Sequence, residues 1–221
     1  MKRLLVTALT LALFAAPALA QTRVGSTRPA QDRPGVQAFG TYDFLSIASS
    51  QTFDAVFGAS KTQAVGGELD VVNLWRHVFV RVGASKVSLD GQRVVIVNST
   101  VYKLGTKLTM DMTPTEVGIG WRFVSRNATS RITPYLGASA VLLSYKETST
   151  FAETGDNVSE TFKGFGAFGG VDLRLTRMLL AGGEAQYRVV NSSPSANSAA
   201  ANFSEKNLGG TVFRLKLGLR F

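Results

Sequence analysis

The stretch Thr211 to Phe221, TVFRLKLGLRF, puts Phe213, Leu215, Leu217, Leu219 and Phe221 on every second position and fills the gaps with Arg214, Lys216, Gly218 and Arg220. A β-strand sends successive side chains to opposite faces, so this is a strand with one apolar face and one cationic face. Such a strand fits two environments. In a soluble domain the apolar face looks inward; in a membrane barrel it looks outward into lipid. Alternation alone does not choose between them, and the rest of the chain must decide.

At the other end, Lys2 and Arg3 precede an apolar run from Leu4 to Ala16, and Ala18-Leu19-Ala20 supplies small residues at the spacing a signal peptidase accepts. Residues 1–20 therefore read as a secretory signal cleaved before Gln21. The run is shorter than the ~20 residues a membrane-spanning helix needs, and no other long apolar run follows. The chain has no cysteine, so neither disulfides nor thiolate metal sites are expected, and backbone pairing and packing must hold the exported domain together. Its formal net charge of +9 would fall by two with the loss of Lys2 and Arg3. The basic residues are scattered singly along strand-like segments rather than clustered with aromatics, which argues against nucleic acid as a partner.

Residues 21–35 (QTRVGSTRPAQDRPG) are polar, carry two prolines and lack periodicity, as a flexible periplasmic leader would. From residue 36 to 221 the pattern is strand, turn, strand, with no sustained helical period, which predicts an all-β domain. The expected strands are 36–49, 63–73, 77–89, 105–124, 131–147, 160–175, 179–191 and 206–221. Short connections at 74–76, 125–130 and 176–178 alternate with longer ones at 50–62, 90–104, 148–159 and 192–205. Tight turns at one end and longer loops at the other are the layout of an antiparallel, up-and-down transmembrane barrel of eight strands. The loop at 90–104 is unusual. Arg93-Val94-Val95-Ile96-Val97 and Val101-Tyr102 are β-prone and apolar. They read either as extensions of the flanking strands into a ridge or as two more strands, making ten.

Inner strands repeat the alternation. Val117, Ile119, Trp121 and Phe123 oppose Glu116, Gly118, Gly120 and Arg122. Tyr135 and Tyr145 share a parity and, with Trp75 and Trp121, are expected to mark aromatic girdles on either side of an apolar band ~25 Å tall. Glycine is abundant within the strands, which suits the bends and close approaches of a small closed barrel.

With its signal-like start, short alternating strands and aromatic last strand, the chain resembles the small outer-membrane β-barrels of the OmpA, OmpX and opacity-protein type. The last-strand signal of that family is matched by Lys216, Gly218, Leu219 and Phe221, and the resemblance implies that the barrel-assembly machinery reads it. It also implies an outer-membrane location in a Gram-negative bacterium, with lipid as surroundings and a monomer as the unit.

On the parity opposite to the apolar face lie Asp43, Glu68, Asp70, Glu116, Asp172 and Glu184, together with Arg81, Arg122, Arg174, Arg188, Arg214, Lys216 and Arg220. In an eight-stranded barrel these point into a lumen that side chains alone fill, where bare charges are costly and must pair. An ion-pair plug is therefore expected in preference to a conducting pore. Catalytic chemistry finds little support. His77, the only histidine, falls in a short turn beside Trp75, away from the rim where a hydrolase would need it, and no second histidine or cysteine offers a metal partner. Gly164-Phe165-Gly166-Ala167-Phe168-Gly169 spells a dinucleotide motif without the helix that gives it meaning. No catalysis and no cofactor are expected. The functional readings are a structural or surface-interaction barrel with contacts for an extracellular protein or lipidic ligand at its long loops; a narrow channel or conduit for small anions or hydrophobic molecules; and a soluble lipocalin-like carrier.

Overall fold

The computed structural model describes residues 34–97, 100–125, 130–149, 157–191 and 205–221, so the expected signal and leader lie almost wholly outside the described residues. Eight strands, β1 (Gly35–Ile47), β2 (Lys61–Val72), β3 (Val78–Val97), β4 (Thr100–Arg122), β5 (Ile132–Ser149), β6 (Val158–Arg174), β7 (Leu179–Val190) and β8 (Gly210–Arg220), follow one another in chain order. Every neighbouring pair is antiparallel, and β8 pairs with β1 to close the barrel. Closure removes the free edges an open sheet would expose, which matters for a chain without disulfides.

The alternation seen in the sequence decides which face goes where. Val117, Ile119 and Trp121 on β4, Leu136 and Leu142 on β5, and Phe213, Leu215 and Leu217 on β8 are all exposed on the outer wall. From Ile132 to Leu142, ten steps of ~3.3 Å at a tilt near 45° span roughly 23 Å, the height of a membrane's apolar band. Trp75, Trp121, Phe123 and Phe221 sit toward one rim of that band, while Tyr42, Phe44, Phe165, Tyr187 and Phe213 sit toward the other. Polar outward residues, among them Lys86, Lys146 and Lys163, begin just beyond the second group.

Both ends of the described chain and the β2–β3, β4–β5 and β6–β7 connections share one rim, here called the turn end. In the β2–β3 turn Asn73 and Arg76 adopt positive φ (57° and 56°), and Leu74 N–H donates to the Val78 carbonyl at 3.0 Å. The β6–β7 turn is held by Thr176 Oγ1, which accepts from Leu179 N–H at 2.9 Å.

At the opposite, loop end the apolar run at 90–104 takes the first of its two readings, a ridge that extends the flanking strands. β3 and β4 do not break at residues 90–104 but stay paired up to Val97 and Thr100, with a register shift between Gln92 and Val94. The count is eight, not ten, because the apolar, β-branched run extends an existing hairpin instead of starting a new one. β2 pairs with β3 only as far as Lys86, and β5 pairs with β4 only from Leu108, so the hairpin continues beyond the wall as a two-stranded ribbon. The domain is also not purely β. Ser50–Phe57 forms a helix, α1, in the β1–β2 connection. At eight residues it is too short to register as a period in the sequence, and it exists because Thr52, Phe53 and Val56 share a buried face. The barrel begins at Gly35, one residue earlier than expected.

Candidate functional site

The interior is stratified into three layers, each built from the inward parity of the eight strands. In the half toward the turn end lie four buried rings, Phe39, Phe79, Tyr135 and Phe168. Each ring crosses a glycine on a neighbouring strand. A Cβ added at Gly120 would come within 2.5 Å of Phe79, at Gly137 within 2.5 Å of Phe168, at Gly170 within 2.6 Å of the Tyr135 hydroxyl, and at Gly218 within 2.5 Å of Phe39. The strand glycines thus make room for rings in a lumen too narrow to hold them otherwise.

Around and above this tray lies the charged layer, with Arg122 and Asp172 as near the turn end as the rings themselves. Asp43, Glu68, Asp70, Glu116, Asp172 and Glu184 meet Arg81, Arg122, Arg188, Arg214 and Lys216, none more than 5% exposed. Arg81 forms a fork on Asp70 (2.9 and 3.1 Å), reaches Glu68 at 3.1 Å and donates to Glu184. Arg214 forms a second fork, on Asp43 (2.7 and 2.9 Å), and extends to Glu68 at 3.1 Å and Glu184 at 3.4 Å. Lys216 Nζ lies between Glu68 (3.2 Å) and Asp172 (3.3 Å), Arg122 reaches Asp172 at 3.3 Å, and Arg188 pairs with Glu116. The tray below also takes part: Arg81 stands 4.5 Å above the Phe168 ring, and Lys216 Nζ is 4.5 Å from Phe39 and 4.6 Å from Tyr135. Ring faces are negative, so cations at the boundary are held from both sides.

Two residues assigned to this set on parity sit elsewhere. Arg174 and Arg220 keep the inward parity but are half-buried at the turn-end rim, and Arg174 donates to the Ser130 carbonyl at 3.5 Å. Conversely, neutral partners went unnoticed. Gln186 donates to Glu116 at 2.8 Å and accepts from Arg188, Gln37 accepts from Arg122 at 3.1 Å, and Tyr135 donates to Glu184 at 2.8 Å. Their parity, equal to that of the charged neighbours, was the available signal.

Tyr135 and Tyr145 correct the expected girdle. They do share a parity, but it is the inward one, and each is 3% exposed. Reading aromatic residues near strand ends as interfacial ignored that the outward face of β5 is carried by Ile132, Leu136 and Leu142. Trp75 and Trp121 do face outward, and His77 stacks edge-on against Trp121 at 5.5 Å.

Of the last-strand residues, Lys216 is buried in the charged layer, Gly218 lies beneath Phe39, and Leu219 and Phe221 face outward. Phe221 also extends the closing seam, exchanging backbone hydrogen bonds with Val36 at 2.9 and 3.3 Å.

The third layer, toward the loop end, is apolar. Leu45, Ile47, Val87, Met110, Met112, Val141, Leu143, Val190 and Val212 pack with Phe53 of α1. Tyr145 belongs here and donates to Glu147. The glycine motif at 164–169 lies inside β6 with no helix after it, and no cluster of metal-ligating side chains occurs among the described residues.

Residues 6–221 match the family model described as outer membrane protein beta-barrel domain. Among solved structures, the outer membrane protein OprG from Pseudomonas aeruginosa is similar at 14% identity, with 85% of this chain and 95% of that chain covered and a TM-score of 0.54. The N-terminal β-barrel domain of Pseudomonas aeruginosa OprF is similar at 9% identity, with 85% and 97% covered and a TM-score of 0.52. At these identities the likeness is one of fold. No curated protein matches the sequence significantly.

Proposed function

The chain belongs to the outer membrane protein β-barrel domain family, a family of the bacterial outer membrane, and from that premise we propose that it is a non-catalytic, monomeric barrel with a closed lumen whose working surface is the loop end, turned to the cell exterior. The observation that carries this is the sealed interior. Six carboxylates and five cations fill the barrel with direct pairs, aromatic rings are interleaved with them toward the turn end, and an apolar layer lies on their loop-end side. An ion crossing it would have to break buried pairs and then traverse an apolar segment with nothing to replace its hydration.

The β3–β4 ribbon is the surface that interacts. Val101, Tyr102 and Leu104 are 39%, 54% and 57% exposed there, next to exposed Lys103 and Lys107. Exposed apolar side chains on a ribbon that has no strand neighbour on either side among the described residues are a contact for an extracellular protein or a lipidic ligand.

Planar bilayer recording tests the closed lumen. The wild-type barrel should show no steady conductance, whereas Asp172→Ala or Glu184→Ala should either destabilise the barrel or open an anion-favouring leak. A large, stable conductance in the wild type, unchanged by those substitutions, would establish a water-filled pore and overturn the proposal.

A further inference from the structure

On the outer wall of the barrel the side-chain surface dips at β5. The outward residues of β5 at mid-height are Ala138 and Ala140, and the register sets Ile119 and Val117 beside them on β4 and Ala167 and Phe165 on β6. Val80 on β3 stands next to Ile119 in turn. Ile119, Val117 and Phe165 are exposed, so the two alanines lie between taller neighbours. The result is an open groove of about 460 Å³, walled by Val80, Val117, Ile119 and Phe165 over Ala138 and Ala140.

Lys163 stands directly above this groove on the loop-end side. It is one outward step from Phe165 along β6 and lies opposite Leu142, which closes the apolar band. Lys146 is two outward steps beyond Leu142 on β5. Both lysines are exposed, and neither has an ion-pair partner among the described residues. The one outward acid of β4, β5 and β6 among the described residues is Asp111, which lies across from Lys146 but leans on Lys86 at 3.7 Å. The positions around the two lysines carry hydroxyls, Thr113, Ser144 and Thr161 among them. Unpaired ammonium groups with hydroxyls about them, at the edge of an apolar band, suit a phosphate headgroup.

We propose that the groove holds one acyl chain of an anionic, phosphate-bearing lipid whose headgroup rests on Lys163, with Lys146 behind it. Position decides the class of ligand. A groove within the apolar band is reached from the bilayer and not from water, so its occupant must carry a chain. Its size falls in the ~300–1,000 Å³ range of ligand sites. Charge decides against a second copy of the barrel as the occupant, because an isologous contact centred on the groove would bring the two Lys163 side chains together with no acid to separate them. The groove lies outside the sheet and apart from the β3–β4 ribbon, so the site stands whichever rim faces the cell exterior.

Three isoleucines supply the readout. Ile119 lines the groove, Ile132 faces outward nearer the turn end, and Ile47 is buried in the lumen. Barrels carrying ¹³C-labelled isoleucine δ1 methyls are held in maltoside micelles and titrated with dipalmitoyl phosphatidylglycerol, with dipalmitoyl phosphatidylcholine, and with inorganic phosphate. With phosphatidylglycerol Ile119 should shift saturably, Ile132 should follow the changing micelle linearly, and Ile47 should stay in place. Phosphatidylcholine should need a ~5-fold higher concentration, and so should phosphatidylglycerol added to Lys163→Gln, the factor expected for one lysine at a lipid surface. Inorganic phosphate should leave Ile119 unmoved. Ala140→Trp, which fills the groove, should abolish the saturable shift while Ile47 keeps its wild-type position as the mark of a folded barrel. Linear shifts of Ile119 and Ile132 alike would show that lipid covers the wall without a site. Equal half-saturation for the two lipids, unchanged in Lys163→Gln, would show that no headgroup is recognised, and a response to phosphate alone would show a free-anion site. A shift of Ile119 that follows protein concentration without added lipid would make a second copy the occupant. Each of these four results overturns the proposal.

Discussion

Asp43 on β1 and Arg214 on β8 stand directly opposite each other across the seam that closes the barrel, joined by a fork of 2.7 and 2.9 Å. The last strand therefore brings to the first its backbone ladder and also the cation its buried carboxylate requires. Arg214 continues to Glu68 on β2 and Glu184 on β7, and Lys216 joins Glu68 to Asp172 on β6. Closing the sheet and neutralising the lumen are one event.

Arg81 should be the least replaceable cation of the layer. It is fully buried and contacts Asp70, Glu68 and Glu184, so Arg81→Ala leaves three carboxylates short of a partner. Asp43→Ala removes one acid from an arginine that keeps Glu68 and Glu184. The first change is expected to lower stability by about 3–5 kcal/mol and the second by distinctly less. Urea titration of barrels refolded in micelles, followed by the heat-dependent gel shift, measures both; equal losses would mean that the charges act independently.

The ring-over-glycine pairs lead to a second expectation. At Gly137 a methyl would meet Phe168 at 2.5 Å and the Ile119 carbonyl at 2.5 Å, whereas Gly183 has open space around it. Gly137→Ala should destabilise the barrel by about 1–3 kcal/mol through overpacking, and Gly183→Ala should be close to neutral or slightly stabilising. Parallel unfolding curves for the two variants provide the comparison.

Much of this architecture is written in parity. The outward faces of β4 and β8 and the buried charges from Asp43 to Lys216 follow from alternation, because a period of two allows a side chain only two destinations. Parity says nothing about height along the lumen. Leu45, Val87 and Val141 share the inward face with Asp43, Arg81 and Ser139, and only strand register separates the apolar layer from the charged one. Height also misled the reading of Tyr135 and Tyr145, placed on the outer wall for lying near strand ends. The helix α1 escaped for a different reason: in eight residues, a buried face of Thr52, Phe53 and Val56 is set by what the barrel mouth offers and not by a period.

Membrane orientation can be mapped with single cysteines in this cysteine-free chain. Lys103, exposed on the ribbon, and Thr176, exposed in the β6–β7 turn, lie at opposite rims. Lys103→Cys should react with a membrane-impermeant maleimide on intact cells, and Thr176→Cys only after the outer membrane is permeabilised. The reverse pattern would place the ribbon in the periplasm and end its proposed role as an external contact.

The seam yields the last expectation. Without Arg214 and Lys216, the six buried carboxylates keep only Arg81, Arg122 and Arg188 as buried cations in their layer. An Arg214→Gln/Lys216→Met variant must therefore close the barrel on surplus negative charge, or protonate it. Repulsion within the layer then opposes closure at neutral pH, where free carboxylates are ionised, and fades on acidification as the surplus carboxylates take up protons. Refolding yield into micelles, measured from pH 8 down to pH 3.5, should start well below wild type and converge on it at the acid end. Either substitution also removes packing, so a yield deficit that stays constant with pH would mean that the two side chains serve as filler and that the seam closes without regard to charge.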